Sequence, residues 1–420
     1  MRDERNKKKV AVLGLGETGL ASALFLKKRG YSVFVSDGGS SALLEKRASR
    51  LAEEKIPFEL GKHSFEKISE SDWALISPGI PPSAPIASRL HGKGIPLVSE
   101  IEVASWFSPG EVVAVTGTTG KSTVVTLIQR IFEANGIPSV ACGNIGNPWI
   151  GEIGRITPET SVILEVSSFQ LLHTLSLKPS LGILLNIGFN HLDWHPDFND
   201  YVTAKLRLFR NQTAEDYAFI RRRDQEDFFP SFRFKSQVVR FGEKGGNANE
   251  GLLHEITRVK KFDPAKTKEI LSRFEGLEHR LEKVGEVEGV GFVNDSKCTT
   301  LEALLWALDR FPAGKIILLA GGHAKGADFR SVRDSLGKKL KRAIVYGEAR
   351  DLLWESWDGA APLTKSPGLE EAFREALKIA RAGDTVLLSP ACASFDQFTN
   401  YKERGEFFKK LVNEVQKINV

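Results

Sequence analysis

Residues 112–123, VVAVTGTTGKST, pass from a β-branched apolar run through Gly117 and Gly120 to Lys121, Ser122 and Thr123. The apolar segment VVTLIQRIF follows at once, with its apolar residues at helical spacing. Strand, glycine loop and helix in this order form a phosphate cradle: loop N–H groups from Gly117 to Thr123 face the anion, Lys121 supplies a point charge, and the Ser122 or Thr123 hydroxyl can take Mg²⁺. Valine stands at position 115 where a general phosphate loop has its first glycine, so this loop starts at Gly117. The predicted helix, Ser122 to Ala134, is closed by Gly136.

Outward from this point the same rhythm repeats in both directions. VAVLGLG, YSVFVSD and WALISPG precede it, SVILEV and LGILLNI follow it, and GFVNDSK, KIILLAGG, RAIVYGEA and DTVLLSPA make a third series. Short buried strands alternating with amphipathic stretches predict βαβ units and parallel sheets. A chain of 420 residues, 41% hydrophobic, exceeds what one core organises. We expect an α/β protein of three domains: a Rossmann-like one over 1–99, a phosphate-loop ATPase-type one over 100–276 and a second Rossmann-like one over 277–420. The stretch GEKGGNANEG, Gly242 to Gly251, is a loop by composition, and Arg221-Arg222-Arg223 is a solvated surface.

Bulk chemistry excludes several functions. A net charge of +5 from 58 basic and 53 acidic residues is too diffuse for a nucleic-acid partner. Three cysteines without a CxxC pair indicate neither a disulfide framework nor zinc, and fit a reducing compartment. The basic start followed by VAVLGLG imitates a secretory signal, but its glycines and Glu17 belong to a nucleotide-binding unit. No run approaches the roughly 18 apolar residues of a membrane span. The expected protein is cytoplasmic, not inserted in a membrane, and monomeric.

Two further groups of residues carry chemistry. Gly14-Leu15-Gly16-Glu17-Thr18-Gly19, with Asp37 at the end of the next strand, has the layout of a dinucleotide fingerprint. Its physical content suits any nucleotide diphosphate, so NAD and other nucleotides both remain open. Glu165 and His191 emerge at the carboxyl ends of strands flanking the phosphate loop, where ligands of such sheets bind.

The short GTTGKST form resembles the ATP loop of the Mur ligases and of folylpolyglutamate synthetase, and ordered motifs from Gly14 to Gly405 are similar to the Mur family, above all to its D-glutamate-adding members. That resemblance implies ATP and Mg²⁺ as cofactors, with UDP-N-acetylmuramoyl-L-alanine and D-glutamate as substrates. It implies Lys121, Glu165, His191 and Lys205 as catalytic residues, with Ser122, Glu165, His191 and a carbamylated Lys205 around the metal. The family usually has aspartate where this chain has Asn190, which lowers the site's charge by one. Gly117, Thr118, Thr119, Gly120, Lys121, Ser122, Thr123, Arg280 and Asp295 are implied for ATP. Thr18, Asp37, Ser77, Gly79 and Asn144 are implied for the UDP-sugar, and Gly38 and Gly39 leave fewer uracil contacts. Lys297, Thr299, Lys325, Ser394, Phe395 and Tyr401 are implied for D-glutamate. Cys298 and Cys392 read as small buried residues. The family's asparagine-bearing adenine helix is not recognised; KFDPAKTKEILSRFEGL stands in its expected place.

Overall fold

The computed structural model describes residues 9–188, 194–242, 247–324 and 327–418. Among these, the chain makes three sheets. The first contains β1 (Lys9–Leu13), β2 (Ser32–Asp37), β3 (Phe58–Leu60), β4 (Trp73–Ile76) and β5 (Leu97–Val98), in the order β3-β2-β1-β4-β5. All its pairings are parallel. The chain winds outward from β1 to β3 and then returns to β4 on the other side. That reversal leaves a crevice at the carboxyl ends of β1 and β4.

The second sheet holds β6 (Glu111–Thr116), β7 (Ser139–Gly143), β8 (Ser161–Glu165), β9 (Leu181–Leu184), β10 (Tyr217–Ile220) and β11 (Gln237–Arg240), ordered β11-β10-β9-β6-β8-β7 and all parallel. The phosphate loop leaves β6 between β8 and β9. Every residue of β8 and β9 is buried, which is why these strands are continuous apolar runs rather than alternating ones.

The third sheet holds β12 (Glu282–Val287), β13 (Val290–Asn294), β14 (Ile316–Gly321), β15 (Leu340–Tyr346), β16 (Leu363–Ser366) and β17 (Thr385–Leu388), ordered β12-β13-β17-β14-β15-β16. Only β12 runs antiparallel, joined to β13 by Glu288 and Gly289, both at positive φ as a tight hairpin requires.

The chain forms two compact units, Met1–Arg273 with the first two sheets and Phe274–Val420 with the third. One apolar core runs through the first unit, from Val12 and Trp73 through Val103 and Trp149 to Leu164 and Leu184. The helix Glu100–Phe107 joins the two sheets: Trp106 meets Trp73 edge-on at 5.4 Å, and Glu102, fully buried, accepts the N–H groups of Leu175, Ser176 and Leu177. The α/β class with parallel sheets is as the sequence predicts.

One expectation is corrected. The stretch Gly242 to Gly251 is not all loop, because the helix Ala248–Lys260 begins inside it, with the Asn247 side chain accepting the Asn249 N–H at 3.0 Å. Composition misleads here because Asn and Gly, which usually mark turns, serve as the cap and first turn of a helix. Within KFDPAKTKEILSRFEGL lies a separate short helix, Pro264–Ser272. No described helix is long and apolar enough to cross a membrane.

Candidate active site

Local backbone geometry shapes the loop after β6. Gly120 takes φ +80°, closed to most side chains, and opens the helix Lys121–Ala134. Lys121 folds back, its Nζ donating to the carbonyls of Gly117 and Thr118 at 2.9 and 3.0 Å. From the end of β9, Asn186 Oδ1 accepts the N–H groups of Thr118 and Thr119 at 3.0 and 2.9 Å. The loop is held from a neighbouring strand, two of its N–H groups converging on the Asn186 side chain.

Glu165 ends β8 beside this loop, 2% exposed. Its Oε2 accepts the Ser122 hydroxyl at 2.6 Å and its Oε1 accepts the Asn144 carboxamide at 2.7 Å. Lys205, on the helix Phe198–Leu206, donates to the Gly117 carbonyl at 3.0 Å and lies 4.5 Å from the centre of the Tyr201 ring. Burial, and then the Lys121 charge, hold its amine well below the ordinary lysine range. Thr118 joins the group through its hydroxyl, 2.8 Å from Tyr201 Oη. A buried carboxylate next to a hydroxyl is a hard oxygen donor set, so Ser122 and Glu165 fit Mg²⁺. His191 and Asn190 lie outside the described residues.

The structure thus brings Lys121, Ser122, Glu165, Lys205 and Asn144 together. Asn144, expected on the sugar side, hydrogen-bonds the carboxylate expected to hold the metal. The other sugar-nucleotide candidates gather at the crevice of the first sheet. Asp37 Oδ2 accepts the Leu15 N–H at 2.6 Å, its Oδ1 accepts the Gly39 N–H at 2.8 Å, and the Ser77 hydroxyl reaches the Gly14 carbonyl at 3.4 Å. A Cβ on Gly14 would stand 2.6 Å from Ser77 Oγ, so β1 and β4 can approach only with glycine there. Thr18 lies in the first turn of the helix Glu17–Lys28, and nothing lies within 4 Å of a Cβ placed on Gly79.

In the second unit, the loops after β13, β14 and β17 lie at adjacent strand ends. Asp295 accepts the Ser389 hydroxyl at 2.8 Å and is pushed up to about 7, burial outweighing that bond. Lys297 lies 5.3 Å from the Tyr401 ring centre, Thr299 is half-buried, Ser394 is buried, and Phe395 is 63% exposed. Arg280 is exposed, and Lys325 lies outside the described residues. Cys142, Cys298 and Cys392 are buried and unbridged, and burial pushes the Cys298 thiol up to about 12, so these are packing residues.

Sequence reading missed several residues. Arg404, fully buried, donates to Ser296 Oγ and O and to the carbonyls of Gly321 and Cys392, tying the three loops together. Asn249 lies beside the phosphate loop, 3.7 Å from where a Cβ of Gly120 would stand, on a helix whose first turn reads as loop by composition. His195, buried, links Asp200 at 2.6 Å to the Ser168 hydroxyl at 2.9 Å and pins the start of the Lys205 helix. The Arg221-Arg222-Arg223 run, with Asn186 and Phe241, lines a cavity of about 660 Å³; Arg222 and Arg223 are exposed as expected, whereas Arg221 is half-buried.

Comparison with known proteins agrees with this geometry. Residues 8–99 match the Mur ligase MurD-like N-terminal domain, 115–278 the Mur ligase middle domain, and 279–392 the Mur ligase glutamate ligase domain. The chain belongs to the Mur ligase family. It is 35% identical to the UDP-N-acetylmuramoylalanine–D-glutamate ligase of Alkaliphilus metalliredigens, over 99% of this chain and 100% of that protein. To the ligase of the same name from Aquifex aeolicus it is 36% identical, over 96% and 98%. Among solved Mur ligases, the UDP-N-acetylmuramate–alanine ligase of Thermotoga maritima shares the fold at TM-score 0.56 and 16% identity, covering 98% of this chain and 99% of that one. The MurF ligase of Thermotoga maritima, solved with ADP, does so at 0.56 and 16%, over 98% and 96%. The fingerprint-like loop at Gly14 thus lies in a segment that matches a Mur ligase N-terminal domain.

Proposed function

We propose that this Mur ligase joins D-glutamate to the L-alanine carboxyl of UDP-N-acetylmuramoyl-L-alanine, consuming ATP, in the cytoplasmic assembly of a peptidoglycan precursor. The observation that carries the reading is full-length similarity to ligases of that name, in a chain whose Ser122, Glu165, Lys121 and Lys205 converge on one phosphate loop. Residues 1–99 receive the UDP-sugar, 100–276 ATP and 277–420 the amino acid.

The chemistry follows from the groups present. A carboxylate does not condense with an amine in water, so the terminal carboxylate oxygen first takes the γ-phosphoryl group of ATP, releasing ADP. The amine nitrogen of D-glutamate then attacks the acyl carbon, the C–O bond to phosphate breaks, and the nitrogen gives up a proton. Lys121 neutralises charge on the transferring group, and the loop N–H groups orient it. Ser122 and Glu165 would hold Mg²⁺, with His191 as the ligand implied by resemblance, and the ion would supply positive charge against the phosphates. Burial favours the uncharged amine at Lys205, whose lone pair can add to CO₂ with loss of a proton, and the resulting carbamate would be the anionic oxygen ligand an ammonium could never be. Lys297, Thr299, Lys325, Ser394, Phe395 and Tyr401 receive D-glutamate, with Arg280 and Asp295 serving ATP. The chain acts as a monomer.

The test is phosphate release from ATP and Mg²⁺ with UDP-N-acetylmuramoyl-L-alanine, offering D-glutamate, L-glutamate, L-alanine, D-alanine or no amino acid. Release with D-glutamate alone is expected. Release with another amine would move the specificity, and silence with all of them would sink the assignment.

A further inference from the structure

Glu100 begins the helix Glu100–Phe107 and is 2% exposed, an expensive place for a carboxyl group without a task. Its side chain crosses to the helix Trp149–Glu152, where Oε1 accepts the Ile150 N–H at 2.6 Å. That short helix needs an acceptor from elsewhere, because its cap residue is Pro148, which supplies no side-chain bond. Its last residue, Glu152, accepts the Asn147 carboxamide at 2.6 Å and pairs with Arg155. The Asn147 carbonyl in turn accepts the Gly143 N–H at 3.0 Å. Asn144 then donates twice to Glu165, through its N–H to the carbonyl at 2.9 Å and through its side chain to Oε1. The loop Gly143 to Pro148 is therefore held from both sides, by Glu165 at one end and by Glu100 and Glu152 at the other.

We propose that Glu100 is a positioning residue for the sugar-nucleotide substrate: by capping the helix Trp149–Glu152 it fixes the Gly143 to Pro148 loop and so the aim of Asn144. The inference rests on the reading of that loop as part of the UDP-sugar site. The capping bond requires an acceptor oxygen, not a charge. Oε2 is buried without a hydrogen-bond partner, and burial pushes the carboxyl up to about 7, so the neutral acid is present beside the anion at neutral pH and either form keeps an oxygen for the Ile150 N–H. A glutamine places the same acceptor in the same shape.

The experiment compares full-length wild type, E100Q and E100L, leucine filling the space without an acceptor. Binding of UDP-N-acetylmuramoyl-L-alanine is measured by calorimetry, and kcat and KM are measured for each substrate. E100Q is expected to stay within about twofold of wild type, while E100L weakens binding and raises KM for the UDP-sugar about tenfold, with KM for ATP unchanged. Equal UDP-sugar binding by E100L and wild type would overturn the proposal. So would an E100Q as weak as E100L, or an equal rise in KM for ATP, which would mark a merely structural residue. If E100L does not fold, Asn147→Ala cuts the same chain of bonds at the surface, and an unchanged KM there would overturn the proposal equally. A wild-type protein that binds ATP but not the UDP-sugar would instead refute the underlying site assignment.

Discussion

At the scale of single residues, the site depends on a few buried polar groups whose removal has defined consequences. Lys205 Nζ is buried and biased toward the uncharged amine. At any given pH the uncharged form is a larger share at Lys205 than at a surface lysine, which favours CO₂ addition. Lys205→Ala should lower turnover about 100-fold or more while the melting temperature holds, and high-resolution intact-mass or crystallographic analysis should find one added CO₂ at that lysine. Only free amine in active wild type would refute the modification. Arg404 is predicted to act on the amino acid alone: Arg404→Met leaves Ser296, Gly321 and Cys392 without their common donor. D-glutamate KM should rise at least tenfold while ADP binding, read by calorimetry, stays unchanged. Nothing in the sequence marks Arg404, since an arginine three residues into the helix Tyr401–Ile418 reads as a solvated face until three loops are found around it.

At the scale of elements, each strand-to-loop junction exposes backbone groups that some side chain must satisfy. Glu102 does this for residues 175–177, accepting three backbone N–H groups, the Trp106 indole N–H and the Ser176 hydroxyl. Glu102→Leu leaves the three backbone N–H groups without that acceptor, and should destabilise the first unit by about 3 kcal/mol or more in chemical denaturation. Asn247→Ala removes the cap of the helix Ala248–Lys260, costing about 1 kcal/mol locally. Because that helix sets Asn249 beside Gly120, ADP should bind several-fold more weakly by calorimetry, and an unchanged affinity would remove Asn249 from the nucleotide site. The strands were legible because buried parallel sheets require continuous apolar runs. This helix was not, because its first turn is built from residues that elsewhere make turns.

At the scale of the whole molecule, each compact unit has apolar cores of its own, so calorimetric unfolding should resolve two transitions, with ADP raising at least that of the unit holding the phosphate loop. Asp295, raised to about 7, predicts the pH response of the other. Its folded pKa lies above the roughly 3.9 of an unfolded aspartate. Its contribution is therefore complete below about pH 4 and is lost as the pH rises through about 7, so the second transition should move downward between about pH 4 and 7. Asp295→Asn should flatten that slope. By itself, the sequence determined the α/β class, the phosphate loop and the candidates Lys121, Ser122 and Glu165, because glycine spacing and apolar periodicity are local properties of a chain; Lys205 was named only through the family resemblance. Only the tertiary structure decided that Asn144 bonds Glu165, that Arg404 gathers three loops, and that Glu100 and Glu102 are buried acceptors. Those facts depend on which strand ends become neighbours in a sheet, and on the need of every buried donor for an acceptor that lies far away along the chain.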